Sequence, residues 1–370
     1  MKIAFIGGRD LHELGGIENY MYNLASQLAQ KGYEPVVYCE SGATRVEWIN
    51  GYKVIHLKTI RNQFLCKPWH ALRATIHCIL YEKNVKIIHY NIPLFSPIYS
   101  WLPCLRGIHR LFQFHSFAWE SPKYTLKQKK LIYYLSRLSC IGIRHCITVN
   151  HEKAVFLKKV FHVDSNVIYP GINLPDKGCL LQEDNILRKY DLVADKYLLF
   201  IGRLDRIKNI DILIRAFLKA QTSDYKLVIA GKNDADPEYV KYLHYISSGH
   251  SNIIFTGAVY HKDKENLLQH CSAICLLSSS EGLPISILEG MAYGKICIIS
   301  SINGNVEACG EAGIQVSIDS LDDVSAKIQD YISNPEQYNW QKEYNYQRVR
   351  TFFQWSVIAN QYVKYINSHF

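Results

Sequence analysis

Long apolar runs are missing from this sequence of 370 residues. No uncharged apolar stretch reaches the ~20 residues that a membrane-spanning helix requires. The opening segment, Met1 to Gly8, contains too short an apolar run for a signal peptide. These absences argue against an integral membrane protein, and we expect a cytoplasmic one.

Three short motifs are also missing. The eleven cysteines include no CxxC pair and no Cys/His zinc spacing, and most of them, such as Cys275 and Cys297, lie in apolar runs. We therefore expect reduced thiols within the core. The dinucleotide fingerprint GxGxxG does not occur, because Gly7-Gly8 and Gly15-Gly16 are separate pairs. An NAD-dependent oxidoreductase is accordingly disfavoured.

Acidic residues are scarce in the first half of the chain. Residues 1–170 contain 22 Lys and Arg against 10 Asp and Glu, whereas residues 171–370 contain 20 against 23. Such asymmetry suggests that the first half faces something anionic, either a phosphate-bearing acceptor or a bilayer surface. Nucleic acid is a weaker candidate, because no nucleic-acid-binding module is recognisable.

The segment 124–144 is basic, aromatic and helical in pattern, with Lys127, Lys129 and Lys130 close together. Two interpretations remain open for it. It is either a solvated helix with an ordinary buried face, or a peripheral contact with an anionic cytoplasmic membrane surface.

The length fits two domains of roughly 150 to 200 residues. The order of strand 2–7, glycine loop, helix from Ile17 and strand 35–39 is a βαβ unit. Further apolar runs predict strands over 52–57, 86–90, 110–115, 145–149, 196–201, 252–256, 273–277, 296–299 and 313–316. We predict a domain over 1–174 with the C-terminal helix 353–370 packed on it, and a second domain over 175–352.

The most informative stretch lies between the predicted strands 273–277 and 296–299. Residues 285–293 read as a helix, with Pro284 at its start and Gly294 at its end. A helix that starts just beyond a strand end presents unpaired N–H groups and a positive dipole end, which favour a phosphate. Glu281 precedes this helix and Glu289 lies about one turn inside it.

The string Glu281-Gly-Leu-Pro-Ile-Ser-Ile-Leu-Glu289 resembles the E-x7-E signature of retaining glycosyltransferases of the GT-B fold, specifically glycosyltransferase family 4 (glycosyl transferases group 1). Gly202-Arg-Leu-Asp-Arg-Ile-Lys-Asn209 resembles the family element G-R-L-x-x-x-K-N. The resemblance covers nearly the whole chain and is strongest over 196–316. It implies an α/β GT-B fold, in which two Rossmann-like doubly wound parallel-sheet domains face each other across a cleft.

The resemblance also implies roles for individual residues. Glu289 would accept hydrogen bonds from ribose hydroxyls, and Glu281 would bind hydroxyls of the donor sugar. Arg203 and Lys208 would stabilise the departing diphosphate, and His115 would contact the transferred sugar near the leaving group. The remaining donor-binding residues would be Gly15, Gly16, Gly202, Gly282, Leu283, Pro284 and Ile285.

The sequence contains one DxD motif, which we do not interpret as a metal site. Asp234-Ala-Asp236 is a DxD sequence, but Asp236-Pro237 fits a helix cap followed by proline in the first turn. The resemblance implies an enzyme that needs neither a metal nor a cofactor.

The leading hypothesis is a retaining hexosyltransferase that moves a sugar from a nucleoside-diphosphate sugar to a saccharide or lipid-linked acceptor. A UDP-sugar is favoured, and a GDP- or dTDP-sugar is an alternative. The pathway expected is bacterial surface polysaccharide biosynthesis, such as O-antigen or capsule, at the inner face of the membrane. A nucleotide-sugar epimerase or hydrolase of the same fold, and a non-catalytic nucleotide-sugar-binding subunit, remain as alternatives.

Overall fold

A computed structural model describes the whole chain except residues 12–14, 61, 63–64, 92–98, 121–123, 144, 176–184, 221–223 and 233–235. The chain forms two compact units. Unit 1 comprises Met1–Gly171 and Trp355–Phe370, and unit 2 comprises Ile172–Gln354. The sequence analysis set the corresponding boundaries after residues 174 and 352.

Unit 1 is built on an eight-stranded sheet with the spatial order β3-β4-β2-β1-β5-β6-β7-β8. The strands are β1 Lys2–Gly8, β2 Glu34–Ser41, β3 Arg45–Ile49, β4 Tyr52–Lys58, β5 Val85–Tyr90, β6 His109–Phe114, β7 Cys146–Thr148 and β8 Asn166–Val167. The helices are α1 Gly16–Gln30, α2 Cys66–Tyr81, α3 Leu126–Ser139 and α4 His151–Phe156, with short 3₁₀ helices at Leu102–Arg106 and Ala118–Glu120.

All neighbouring strands of this sheet run parallel except β3, which pairs antiparallel with β4. The sequence analysis did not predict strand β3. Asn50 and Gly51 join β3 to β4 with φ values of 46° and 83°, the left-handed backbone that an Asn-Gly hairpin turn requires. The short, partly charged edge strand has no long apolar run, so only the turn could have indicated it.

Unit 2 contains a six-stranded parallel sheet with the order β11-β10-β9-β12-β13-β14. The strands are β9 Tyr197–Ile201, β10 Lys226–Ala230, β11 Ile253–Gly257, β12 Ala273–Leu276, β13 Ile296–Ser300 and β14 Ile314–Val316. The helices are α5 Asn185–Lys189, α6 Ile210–Lys219, α7 Pro237–Ile246, α8 His261–His270, α9 Ile285–Ala292, α10 Asn303–Cys309, α11 Leu321–Ser333 and α12 Asn339–Arg348. These two sheets confirm the predicted fold class of two doubly wound α/β domains.

The last helix, α13 Trp355–His369, belongs to unit 1. Its buried side chains Trp355, Ile358, Tyr362 and Ile366 join the apolar cluster that contains α1 residues and Phe5 of β1. The Tyr362 hydroxyl also lies 2.9 Å from Nδ1 of the buried His89 on β5. Unit 2 is therefore inserted between two segments of unit 1, and the C-terminal helix is part of the core of unit 1.

Helix length and hydropathy bear on membrane insertion. No helix in the part of the chain that the structure describes is both long and apolar enough to cross a bilayer.

Candidate active site

The turn between β12 and α9 is fixed by a buried hydrogen-bond network. Ser300 Oγ on β13 donates to the carbonyl oxygen of Ser278 at 2.5 Å, and Asn305 Nδ2 donates to Ser300 Oγ at 2.9 Å. A Cβ added to Gly304 would lie 2.9 Å from the carbonyl oxygen of Glu281. Because α10 packs this closely against the turn, the backbone at Glu281 has little freedom.

Glu281 forms an ion pair with Lys208. The Lys208 Nζ atom lies 2.5 Å from Glu281 Oε1, and the two side chains are only 17% and 13% exposed. Ser278 Oγ donates to the same carboxylate oxygen at 2.6 Å. Two of the predicted site residues, 73 positions apart in the sequence, are thus brought together at the start of α9.

The loop that carries Lys208 is tied to the same turn by its own backbone. Asn209 has a left-handed φ of 49°, and its Nδ2 donates to the carbonyl oxygen of Leu277 at 2.8 Å. The Ser279 amide donates to the carbonyl oxygen of Ile207 at 2.9 Å. These bonds flank the ion pair and hold Lys208 against the turn.

Arg203 belongs to a different ion pair. Its guanidinium is 67% exposed and lies 3.2 Å from Asp205 Oδ2, while Asp205 Oδ1 accepts from the Ile207 amide at 3.0 Å. Next to it, Gly202 packs against Gly231, where an added Cβ would lie 2.1 Å from the Gly202 carbonyl oxygen. Arg203 is therefore on the surface of unit 2, anchored to the loop that ends at Lys208.

Glu289 is paired with a residue that the sequence analysis did not single out. Lys264 Nζ on α8 lies 2.6 Å from Glu289 Oε1, and both side chains are less than one third exposed. Burial, with the nearby charges of Glu265 and Glu289, raises the pKa of Tyr293 to about 12. The Glu289 carboxylate is therefore accessible but already neutralised by one lysine.

The DxD sequence falls partly outside the described residues, because the structure does not describe Asp234. Asp236 caps α7, where its Oδ1 accepts from the Tyr239 amide at 3.0 Å and its Oδ2 accepts from Arg206 Nε at 2.8 Å. The Tyr239 amide and then Arg206 hold the pKa of Asp236 below its ordinary value. Over the described ranges, no group of three or more His, Cys, Asp and Glu side chains could hold a metal ion.

His115 follows β6 directly in unit 1. Its Nε2 lies 3.2 Å from Asn91 Oδ1, and its ring packs edge-on against the Tyr20 ring at 4.8 Å. Asn91 Nδ2 donates to the Ile6 carbonyl oxygen at 3.4 Å, so the amide oxygen faces the histidine. Burial lowers the pKa of His115 to about 3. The imidazole is therefore neutral at pH 7, with its hydrogen on Nε2 and an accepting Nδ1.

The predicted glycine pair differs in its surroundings. A Cβ on Gly15 would lie 2.0 Å from Glu18 Oε2, whereas a Cβ on Gly16 would have no atom of the described residues within 4 Å. The other carboxylate oxygen of the buried Glu18 accepts from the Arg9 amide at 2.8 Å. Gly15 thus lies against the Glu18 carboxylate, whereas none of the described residues packs closely on Gly16.

Four polar residues of the site escaped the sequence analysis. They are Ser278, Lys264, Glu18 and Asn91. Asn209 was part of the G-R-L-x-x-x-K-N element, but the sequence analysis assigned it no role of its own. Glu18 follows the glycine pair, so its position was available as a signal. Lys264 lies among other charged residues of α8, and nothing in its spacing distinguishes it from a solvated lysine.

Comparison with solved structures identifies the fold. Sucrose-phosphate synthase from Thermosynechococcus elongatus superposes with a TM-score of 0.84 at 19% identity, covering 100% of this chain and 98% of that chain. Anabaena HepE in complex with UDP-glucose gives a TM-score of 0.78 at 15% identity, with both chains covered completely. The fold is that of the GT-B glycosyltransferases, as predicted.

Comparison with sequences gives the family. Residues 14–175 match Glycosyltransferase Family 4, and residues 182–348 match Glycosyl transferases group 1. An alpha-1,3/1,6-mannosyltransferase, ALG2 of Kluyveromyces lactis, is 26% identical over 359 residues, covering 83% of this chain and 70% of the relative. The O-antigen chain mannosyltransferase C of Escherichia coli is 26% identical over 304 residues, covering 78% and 76%. The chain belongs to glycosyltransferase family 4, and its relatives include mannosyltransferases of glycan biosynthesis.

Proposed function

We propose that this glycosyltransferase moves a hexosyl group from a nucleoside-diphosphate sugar to a saccharide or lipid-linked acceptor, with retention of configuration. The observation that carries the proposal is the largely buried Lys208–Glu281 pair at the start of α9. It puts a fixed cation beside a helix N-terminus, which suits a diphosphate, and a carboxylate beside both, which suits sugar hydroxyls. The solved HepE complex with UDP-glucose, on the same fold, favours a UDP-sugar over a GDP- or dTDP-sugar.

The reaction breaks the bond between the anomeric carbon and the β-phosphate oxygen and forms one from that carbon to an acceptor oxygen. Positive charge develops on the sugar and negative charge on the departing diphosphate, which takes up the proton that the acceptor hydroxyl loses. Lys208 and Arg203 offset the charge on the diphosphate. Attack from the face that the diphosphate leaves retains the configuration.

Two carboxylates divide the recognition of the donor. Glu281 accepts hydrogen bonds from hydroxyls of the transferred sugar, and Glu289 accepts them from the ribose. The pairing of Glu289 with Lys264 at 2.6 Å supports this role, because it fixes the carboxylate orientation without covering it. Gly282, Leu283, Pro284 and Ile285 form the turn on the donor phosphates, and Gly202 binds the donor beside Arg203.

In unit 1, His115 contacts the transferred sugar near the leaving group. Its neutral imidazole supports a hydrogen-bonding role rather than a cationic one. Gly15 and Gly16 let the backbone at the start of α1 approach the donor diphosphate, and Glu18 braces that turn by accepting from the Arg9 amide. No metal is required in this scheme, since lysine and arginine supply the positive charge.

The acceptor would be held by unit 1, in the synthesis of a surface polysaccharide such as O-antigen or capsule. The O-antigen mannosyltransferase relative supports this pathway. Helix α3, within the segment 124–144, supports peripheral contact with the inner membrane face. It exposes Leu126, Lys130, Tyr134 and Arg137 along one side, a mixture of apolar and cationic groups suited to an anionic interface.

Nucleoside-diphosphate release tests this proposal. The protein is incubated with UDP-, GDP- and dTDP-sugars, with and without a lipid-linked saccharide extract, and products are separated by chromatography. A transferase releases the diphosphate only with acceptor and lengthens that acceptor. Release without acceptor would indicate a hydrolase, and an isomerised donor an epimerase. Absence of any product from wild-type protein, at the level of a Glu281→Gln control, would indicate a non-catalytic subunit.

A further inference from the structure

Helices α2 and α3 lie on the same face of the unit 1 sheet. Successive strand residues point to opposite faces, so Phe5 packs in the cluster with α1 and α13, whereas Ile6 packs in the cluster with Ala71 of α2 and Cys140 at the end of α3. The 3₁₀ helix Leu102–Arg106 contacts α2 on this second face. One layer of helices therefore covers the sheet opposite the C-terminal helix.

Large apolar side chains recur along the outward side of α2, with the partly exposed Arg73 among them. Four large side chains at spacings of four, seven and four residues are 41–59% exposed: Leu65, Trp69, Ile76 and Leu80. This spacing places them on one side of the helix. The inward side is buried through small residues, including Ala71 and Ala74. A helix with a second apolar side is unusual for a surface that faces only water.

The neighbouring elements continue this surface. Trp101 and Leu105, on and beside the 3₁₀ helix, are 52% and 82% exposed. Helix α3 exposes Leu131 and Leu138 between its basic residues. Exposed apolar side chains thus recur on all three elements of the helical layer.

The charge of this region is almost entirely positive. Between residues 48 and 151 the sequence contains 15 Lys and Arg but only two acidic residues. Both acids are paired: Glu82 with Lys2 and Lys53, and Glu120 with Lys153. A surface that is apolar and cationic, with its acids neutralised, is complementary to the interface of an anionic bilayer.

We propose that α2 inserts its outward apolar side into an anionic membrane, while the cations of α3 contact lipid phosphates. The inference extends the membrane contact proposed above for 124–144, because it assigns the insertion to a different helix. Cation contacts with phosphates are screened by salt, whereas buried apolar side chains are not. The two helices therefore make separable contributions to binding.

Vesicle flotation tests the proposal without any enzymatic readout, so it is independent of the transferase assay. Full-length protein is mixed with vesicles of phosphatidylcholine containing phosphatidylglycerol, at low and high salt. The triple variant Trp69→Gln, Ile76→Gln, Leu80→Gln should lose about tenfold or more in affinity at both salt concentrations. The variant Lys127→Gln, Lys130→Gln should lose affinity mainly at low salt.

Exposed residues of unit 2 supply the matched control. Trp340 and Tyr245 are 53% and 79% exposed, and their replacement by Gln should leave flotation unchanged. If the triple variant does not fold, quenching of tryptophan fluorescence by brominated lipid still tests the proposal on the wild-type protein. The wild-type emission should be quenched. The conservative variant Trp69→Phe should remove much of that quenching. Equal flotation of the wild type and the α2 variant would overturn the proposal. So would a dimer in light scattering that the α2 variant dissociates without any change in flotation.

Discussion

Removing the Lys208 ammonium should destabilise unit 2 and disable catalysis together. We choose Lys208→Met, which keeps most of the side-chain length and deletes the charge. The partner carboxylate of Glu281 is 13% exposed and lies 2.5 Å away, so it would lose its cation in a place that water reaches poorly. Ser278 Oγ, at 2.6 Å, would remain as its donor.

The magnitude follows from this geometry. Breaking a fully buried pair by deleting one partner costs about 3–5 kcal/mol. Because Ser278 remains and some exposure is retained, we expect a loss of about 2–3 kcal/mol in the free energy of unfolding. Turnover should fall roughly 10²–10³-fold, as expected when a donor to a developing oxyanion is lost.

Urea unfolding and initial-rate measurements check both effects. The matched control is Lys241→Met, whose pair with Glu238 at 2.9 Å is 75% and 76% exposed; it should leave the free energy of unfolding nearly unchanged. Adding Glu281→Gln to Lys208→Met should recover part of the lost stability but none of the activity. A loss of stability no larger than that of the Lys241 control, with normal turnover, would refute the reasoning.

Three further predictions concern other parts of the two units. Glu289→Ala should weaken nucleoside-diphosphate binding by calorimetry about tenfold, as expected for lost hydrogen bonds to a charged group; unchanged affinity would remove its ribose role. Gly231→Ala should cost about 1–3 kcal/mol, because its Cβ would lie 2.1 Å from a carbonyl oxygen, whereas Gly42→Ala, in open space, should be neutral in urea unfolding. Burial lowers the pKa of His89 to about 3, so below about pH 6.5 the unfolded chain binds a proton that the folded chain does not. Stability should therefore fall as the pH drops from 6.5, by about 1.4 kcal/mol per unit for this histidine, and His89→Leu should flatten that slope in unfolding measured at pH 7, 6 and 5.

Much of the fold was predictable because its signals are local. Buried parallel strands read as short apolar runs, and the caps of α7 and α9 were visible at Asp236 and at Gly294, whose φ is +66°. The edge strand β3 was not predicted, since a half-exposed strand has no apolar run and pairing depends on its partner. Gly171 gave no local signal for its packing, although an added Cβ there would lie 2.3 Å from the Trp355 ring.

The sequence predicted which residues belong to the site, but it did not predict which of their side chains form ion pairs with each other. The E-x7-E string and the G-R-L-x-x-x-K-N element gave Glu281 and Lys208, yet nothing local states that the two side chains meet. That pairing depends on β9 and β12 being neighbours in the sheet, which only the tertiary fold determines. The same holds for Lys264 and Glu289, on α8 and α9.

The outward apolar side of α2 was missed for a related reason. Apolar residues occur on both the outward and the inward side of the helix. Its sequence therefore resembles that of an ordinary buried helix. Only the exposed fractions of Trp69, Ile76 and Leu80 distinguish the two sides.

The most direct test of the central claim, a donor site in unit 2, is a thermal-shift screen against UDP, GDP, dTDP, CDP and NAD. A ligand that binds only the folded protein stabilises it by about 2.7 kcal/mol at a hundred times its Kd. We predict a selective rise in melting temperature with one nucleoside diphosphate, UDP above the others, which Glu289→Ala reduces. A rise with NAD alone, or no rise with any of the five ligands, would contradict the account.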